Sequence, residues 1–169
     1  VIIPSGAAAA NYNITYDSGT LTIDRKTLTT APTASNKVYD GTTAATITSY
    51  GFSGLVGAET LTATSTATFA DKNAEPGKKV TLTGIALGDG SNGGLAANYT
   101  LAANTAETTA DITARPITAT AATNTKTYDS TTQAAAAPTI TNGSLVNGDT
   151  AVITASYSDK NVGIGKTIT

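Results

Sequence analysis

Polar and apolar residues alternate strictly between Thr60 and Ala70, where the sequence reads TLTATSTATFA. A period of two places successive side chains on opposite faces of an extended chain. The segment is therefore predicted to be a β-strand with one packed face and one solvated threonine face, and Ile153, Ala155 and Tyr157 repeat the packed face near the C-terminus. The residues predicted to face inward in the first segment are Leu61, Ala63, Ser65, Ala67 and Phe69.

A second alternating segment, residues 79–87, changes phase in its middle. Val80 and Leu82 occupy one face, but the next apolar residue, Ile85, follows on the other side of Gly84 and out of step with them. An extra residue at a glycine is typical of a β-bulge, which bends a strand and re-aims its side chains. We therefore predict one long strand with a bulge at Gly84.

Further short strands are predicted between turn-rich stretches, at residues 33–39, 44–50, 98–102 and 108–113. No segment shows an apolar period of 3.6 residues, and the alanine clusters are too short to nucleate a helix. The chain is therefore predicted to be all-β. About six short strands favour a small antiparallel module of the immunoglobulin-like sandwich type, with a β-grasp-like module as the alternative.

The same strings return at a spacing of about 89 residues, which is the signature of a repeat protein. KVYDGTT at 37–43 returns as KTYDSTT at 126–132, and FADKNAEPGKKVT at 69–81 returns as YSDKNVGIGKTIT at 157–169. Near the N-terminus, AANYNI at 9–14 matches AANYTL at 96–101. Long-range self-similarity of this kind predicts tandem modules that pack against their neighbours.

Three domains follow from the ends of the recurring strings. Residues 1–26 are predicted to be the C-terminal part of a preceding repeat, residues 27–115 a complete module, and residues 116–169 the N-terminal part of the following repeat. Strand-rich modules with almost no linker between them predict an extended rod, in which each module adds about 30–40 Å. The two partial repeats also complement each other, which predicts head-to-tail assembly within a longer tandem or between copies.

Composition and charge narrow the function classes. The net charge is −2 and only 13% of residues are charged, so no basic surface is predicted for nucleic acid. No apolar run is long enough for a membrane-spanning helix, so no membrane insertion is expected. The chain has no His and no Cys, which removes the usual acid–base residue, the thiol nucleophile and the usual zinc ligands. We predict neither an enzyme nor a cofactor.

The recurrent tripeptide is Tyr39, Asp40, Gly41 in the first copy and Tyr128, Asp129, Ser130 in the second. An aspartate carboxylate accepts hydrogen bonds from backbone N–H groups one or two residues later, so these six residues are predicted to form structural turns rather than a ligand site. Since serine replaces glycine in the second copy, the third position is not expected to require a left-handed backbone that only glycine can adopt.

Three aspartates are candidate calcium ligands: Asp71, Asp89 and Asp159. Asp71 and Asp159 lie beside a lysine in each copy of the DKN string, which argues against a cation. From Asp89 the string DGSNG resembles the start of a calcium loop, yet its twelfth position is Thr100 where a bidentate glutamate is needed. We therefore predict no metal site.

Lysines that recur in both copies, among them Lys78, suggest an intramolecular isopeptide cross-link as a further possibility. A solvated lysine, or one that protects a strand edge from pairing, is the favoured interpretation.

The strings KVYDGTT, SGLVGAE, FADKNAEPGKKVTLTGIAL and AANYTLA, closed by ADITARPIT, occur in this order along the chain. In these strings the chain resembles the YDG and MBG-type repeats of large secreted bacterial adhesins of the filamentous-haemagglutinin-like kind. The resemblance implies a stalk or filament segment on the outer surface of a bacterium. It also implies that the partners are neighbouring repeats or copies of the chain, while host or matrix glycans or proteins are bound through regions elsewhere.

One alternative is a carbohydrate-binding module of an extracellular protein, in which Tyr50, Phe52 or Tyr99 would stack on sugar rings. A glycosidase that uses an acid pair is a third possibility and requires two carboxyl groups about 5–10 Å apart in a cleft.

Overall fold

The computed structural model describes residues 1–169 and confirms the all-β prediction, with eleven strands and one short 3₁₀ turn at Ala96–Asn98. No helix in it is long and apolar enough to cross a membrane. The strands are β1 Lys26–Thr30, β2 Thr33–Ala34, β3 Lys37–Val38, β4 Ile47–Ser49, β5 Phe52–Ser53, β6 Leu61–Phe69, β7 Glu75–Asp89, β8 Tyr99–Leu101, β9 Ala106–Thr113, β10 Thr118–Thr120 and β11 Thr139–Asn142.

The alternation predicted around residues 60–70 is confirmed in β6. Its side chains are half-buried and exposed in turn, and the series ends at the buried Phe69. The phase change predicted in β7 is also confirmed, because Val80 and Leu82 are buried, two exposed residues follow, and Ile85 is buried again. Gly84 has a φ of +64°, the left-handed conformation that allows two consecutive residues to face outward.

The four-stranded sheet has the order β3-β9-β7-β6. Strands β6 and β7 are long, and each contributes residues to both of the compact units into which the chain divides. Unit 1 comprises residues 1–32, 49–66 and 82–106, and unit 2 comprises residues 33–48, 67–81 and 107–169. Unit 2 therefore contains residues from both predicted repeats, 27–115 and 116–169.

Unit 1 contains the three-stranded sheet β5-β1-β8. Strand β1 pairs antiparallel with β5 and parallel with β8. The core of unit 1 is small and mostly aliphatic, as the low aromatic content of the sequence predicts. Its buried apolar residues are Leu28, Leu82, Ile85 and Tyr99, and the two leucines are fully buried.

Unit 2 contains the parallel pair β3–β9 and the antiparallel pair β10–β11. Asp111 in β9 stabilises this region, because its carboxylate accepts hydrogen bonds from the Asn36 side chain at 3.0 Å and from the Gly77 backbone N–H at 2.7 Å. The buried apolar residues of the unit are Phe69, Val80, Ala110, Ile112 and Ala155.

Two of these pairings correct the expectation of purely antiparallel modules. Strands β1 and β8, and strands β3 and β9, run in the same direction. Parallel neighbours require a long crossover connection, and roughly seventy residues separate the members of each pair, which is ample for one. Alternation of side chains specifies which face of a strand is packed, but not the direction of the neighbouring strand.

Candidate functional site

The first Tyr-Asp-Gly turn is closed by a single carboxylate oxygen. Asp40 Oδ1 accepts hydrogen bonds from the backbone N–H of Thr42 at 2.9 Å, from its hydroxyl at 2.9 Å and from Lys37 Nζ at 2.9 Å. Lys37 Nζ also donates to the Thr42 carbonyl at 2.8 Å, and it lies 5.4 Å from the centre of the Phe69 ring. The lysine thus ties the turn to the end of β6 through a cation–π contact.

The second copy repeats this network with the corresponding residues. Asp129 Oδ1 accepts from the Thr131 N–H and hydroxyl, each at 2.9 Å, and from Lys126 Nζ at 2.8 Å. Lys126 Nζ lies 5.7 Å from the centre of the Tyr157 ring. Residues at the spacing Lys-x-x-Asp-x-Thr therefore build the turn in both copies. An aromatic residue later in each copy, Phe69 or Tyr157, completes the network through its contact with the lysine.

The third position of the tripeptide differs from the sequence-based expectation. Gly41 has a φ of +80° and Ser130 has a φ of +63°, so both copies use the left-handed conformation. Serine tolerates it at a cost of about 1–2 kcal/mol relative to an ordinary backbone conformation. The surrounding hydrogen bonds, which are the same in both copies, hold serine in the conformation that glycine adopts without strain.

Acid is expected to weaken both turns. Hydrogen bonds from Lys37 and Thr42 lower the pKa of Asp40 from 3.8 to about 2, and Lys126 and Thr131 do the same for Asp129. Because the folded-state pKa is lowered, the stability from each carboxylate is complete above about pH 4 and is lost as the pH falls towards 2. Urea midpoints measured between pH 5 and pH 2 should fall more steeply for the wild type than for the D40N/D129N variant. Parallel pH profiles would contradict the assignment.

The calcium candidates have other partners in the structure. Asp71 Oδ1 binds Lys78 Nζ at 2.5 Å and the Asn73 N–H at 2.7 Å, and Asp159 binds Lys166 and the Asn161 N–H in the same way. These hydrogen bonds lower the pKa of both aspartates. No group of three or more acidic, His or Cys side chains is placed to hold a metal.

Asp89 closes a loop within unit 1. Its Oδ1 accepts from the Ala96 N–H at 2.7 Å, and its backbone carbonyl accepts from the Thr62 hydroxyl at 3.0 Å. The Asp89 carboxylate therefore binds the first backbone N–H of the short 3₁₀ turn at Ala96–Asn98.

Lys78 is the one buried charged residue, with 3% of its side chain exposed. Asp71 and Glu75, at 2.5 and 3.3 Å, raise its pKa, chiefly through the hydrogen bond from Lys78 to Asp71. The amine is therefore held in its charged form beside a charged carboxylate. An amine that is to form an isopeptide bond must be neutral to act as a nucleophile, so the arrangement favours an ion pair.

The most distinctive cluster in unit 2 joins the first repeat to the loop Ser144–Asp149 of the next, which we call the joint loop. The Tyr39 hydroxyl donates to Asp149 Oδ2 at 2.8 Å, and Lys72 Nζ lies 3.5 Å from Asp149 Oδ1. A hydrogen bond with Tyr39, and then the negative charge of Asp149, raise the pKa of Lys72. A tyrosine of one recurring string and a lysine of another thus converge on one carboxylate of the following repeat.

Apolar packing accompanies these polar contacts. A Cβ atom added to Gly41 would lie 2.5 Å from Val146 Cγ1, so the glycine leaves the space in which this methyl group sits. Ile117 and Leu145 line a neighbouring cavity of about 260 Å³ together with Tyr39 and Val146. Arg115 at the predicted border between the repeats donates to the Ser144 hydroxyl at 3.3 Å.

The sequence analysis does not predict the joint. The sequence nevertheless contains a signal for it. The second copy has Leu145, Val146 and Asp149 where the first copy has Leu55, Val56 and Glu59. An apolar pair that recurs within a turn is unusual, because turn residues are generally polar. Such a pair indicates a packed turn, although it does not identify what it packs against.

Removing the Tyr39 hydroxyl is expected to cost about 1–2 kcal/mol, because the hydrogen bond to a half-buried carboxylate is lost. We expect Y39F to lower the free energy of unfolding by this amount in urea titrations. Y128F is the matched control, since Tyr128 is 57% exposed and its hydroxyl makes no hydrogen bond within the chain. Equal effects of the two variants would count against the Tyr39–Asp149 bond.

The aromatic residues weighed for sugar binding occupy two environments in unit 1. Tyr99 is 3% exposed, and its hydroxyl donates to Glu59 and accepts from the Val56 N–H at 3.1 Å, so its ring is part of the core. Tyr50 and Phe52 are half-buried, and their rings lie 5.9 Å apart with planes at 7°. Of these three residues, only Tyr50 and Phe52 leave part of their rings exposed.

Comparison with known proteins gives one family. Residues 24–107 and residues 113–169 each match the YDG domain. No curated protein and no solved structure matches the chain.

Proposed function

Because the chain belongs to the YDG domain family, which matches it in two successive segments, we propose that it is a structural segment of an exported bacterial surface adhesin. In this proposal tandem β modules extend a stalk or build a filament, and the protein acts by its length and stiffness. The observation that carries the proposal is the joint, in which Tyr39, Gly41 and Lys72 of one repeat hold Val146 and Asp149 of the next.

The chemistry of the joint suits a stiff connection between repeats. It combines a hydrogen bond to a carboxylate, an ion pair and a methyl group packed against a glycine, which together restrain both translation and rotation of the loop. A linker of glycine and serine would leave the repeats free to reorient. Tyr39, Gly41 and Lys72 belong to the recurring strings, so the same connection can be built again wherever a repeat keeps these three residues.

The recurring carboxylates support a structural role. Asp40, Asp71 and their counterparts Asp129 and Asp159 each accept a lysine ammonium and a backbone N–H within their own turn. Their hydrogen-bonding capacity is directed at closing turns rather than at an open cleft. We propose accordingly that the segment is not an enzyme, and that it lies outside the cell on the bacterial surface with neighbouring repeats as its partners.

Arrays of two, four and six copies of the chain test this proposal. Small-angle scattering and electron microscopy should show a maximum dimension that grows in equal steps of about 30–40 Å for each repeat of about 89 residues. Arrays carrying V146D are the control, because a charge in place of the half-buried valine should loosen each joint. Particles whose maximum dimension does not grow with copy number would contradict the stalk.

Carbohydrate binding is the second candidate, and the parallel Tyr50 and Phe52 rings favour it. They line a groove of about 310 Å³ with Thr60 and Thr62, whose hydroxyls could hydrogen-bond a sugar. A glycan array probed with the full chain should then show binding that the Y50A/F52A variant lacks. Absence of any binder would contradict this second candidate.

A further inference from the structure

Strand β6 is the last strand of the four-stranded sheet, and its outer edge is paired at one end only. At that end the Ala45 N–H donates to the Ala67 carbonyl at 3.0 Å, and the Phe69 N–H donates to the Thr43 carbonyl at 2.7 Å. No other strand lies beside the outer edge of the preceding residues. Residues 61–66 therefore form an unpaired edge, which we call the β6 edge.

The period of two identifies the backbone groups that the β6 edge offers. On the inner side, the Ala70 N–H donates to the carbonyl of Lys79 in β7 at 3.0 Å. Phe69 bonds in the opposite direction, and backbone groups two residues apart in a strand point the same way. The residues that direct both their N–H and their carbonyl group away from β7 are therefore Leu61, Ala63 and Ser65.

The β6 edge lacks the features that normally keep strand edges from pairing. Protected edges are short, or they carry a lysine, a proline or a bulge. At the other end of the same sheet, β3 has two residues, one of which is Lys37. Strand β6 has nine residues, LTATSTATF, with no charge, proline or glycine. An extended polypeptide can therefore pair with it without a charge or a proline in the way.

A preceding repeat leaves this edge accessible. Because Tyr157 corresponds to Phe69, Ala151 in the second copy corresponds to Ala63. Ala151 is exposed although a complete repeat precedes it, and that repeat bonds to Asp149 in the joint loop instead. The lengthwise joint between repeats therefore does not use this edge.

We propose that the β6 edges of two copies of this chain pair antiparallel about a two-fold axis at Ala63. Leu61 then lies opposite Ser65 of the second copy and Ala63 opposite its own counterpart, so each outward N–H meets a carbonyl. Thr62 lies opposite Thr64 of the second copy, and cross-strand threonine pairs stabilise antiparallel strands. The edge is thus complementary to itself in backbone and side chains, which identifies a second copy as its partner.

This contact joins two chains side by side, and it does not depend on the lengthwise joint of the proposed stalk. Sedimentation equilibrium of the full chain should show a dimer that forms below about 1 mM. A63P removes an outward N–H, which a strand edge tolerates, and should weaken the dimer at least about tenfold. A63V is the matched control, because it keeps the N–H and should associate like the wild type.

Amide hydrogen exchange of the wild type gives a second test that needs no substitution. The amides of Leu61, Ala63 and Ser65 should gain protection as the protein concentration rises, because they become bonded only in the dimer. The amides of Thr62 and Thr64 point towards β7 and should be protected at every concentration. This alternation distinguishes pairing along the edge from contact through either face of the sheet.

Three results would overturn the inference: a monomer up to about 1 mM, equal association of A63P and A63V, or a dimer in which the outward amides stay unprotected. Protection of these amides at every concentration would also overturn it, since the edge would then be paired within the chain. None of these results alters the expected elongation of covalent arrays. Failure of this inference is therefore distinguishable from failure of the stalk proposal.

Discussion

Alanine in place of Gly41 is expected to lower the free energy of unfolding of unit 2 by about 2–5 kcal/mol. Two effects add at this position. A φ of +80° is strained for any residue with a Cβ atom, which costs about 1–2 kcal/mol, and the new methyl group would collide with Val146 Cγ1, which costs about 1–3 kcal/mol. Valine has a stiff side chain, so the joint loop must move to relieve the contact. Urea titration of G41A measures the loss.

Two companion variants separate the effects. Gly77 has a φ of +59° with nothing within 4 Å of its position for a Cβ atom, so G77A should show the strain alone, about 1–2 kcal/mol. In a V146A background the methyl group at position 41 meets no Cγ1 atom, so G41A should also cost about 1–2 kcal/mol there. If G41A costs the same in both backgrounds, Val146 does not sit against Gly41.

Alanine in place of Leu82 is expected to destabilise the protein by about 2–5 kcal/mol, because Leu82 is fully buried and its truncation leaves a cavity in a thin aliphatic core. L95A is the matched control. Leu95 belongs to the same unit and is 50% exposed, so its truncation should change the free energy of unfolding by less than about 1 kcal/mol. Denaturant titrations of both variants compare the two environments, and equal losses would place Leu82 outside the core.

The sequence predicted those features that depend on a single strand. Alternation in β6 is confirmed residue by residue up to Phe69, and the slip at Gly84 is confirmed by the burial of Ile85 on the far side of a left-handed glycine. Both follow from the period of two in an extended chain, which requires no knowledge of the neighbouring strands.

Features that depend on distant partners could not be predicted in this way. The parallel pairing of β1 with β8 depends on the path of the intervening chain, and period-two alternation is the same for either direction. The left-handed backbone at Ser130 could not be predicted, because a serine in a sequence does not indicate this conformation. The hydrogen bonds of the shared Lys-Asp-Thr network hold it in place. The joint was missed because Val146 and Asp149 contact residues about a hundred positions earlier.

The recurring turn therefore has two roles in this account. Its lysine, aspartate and threonine close the turn in both copies, and in the first copy its tyrosine and glycine also contact the next repeat.

NMR of the full chain tests most directly whether a fixed joint, rather than a flexible linker, connects the repeats. Backbone order parameters of the joint loop, residues 144–149, should match those of the Tyr-Asp-Gly turn at residues 37–43, near 0.85, and a nuclear Overhauser effect should connect the Val146 methyl groups with the Gly41 α-protons. Order parameters below about 0.6 in the joint loop, with no such effect, would contradict the account.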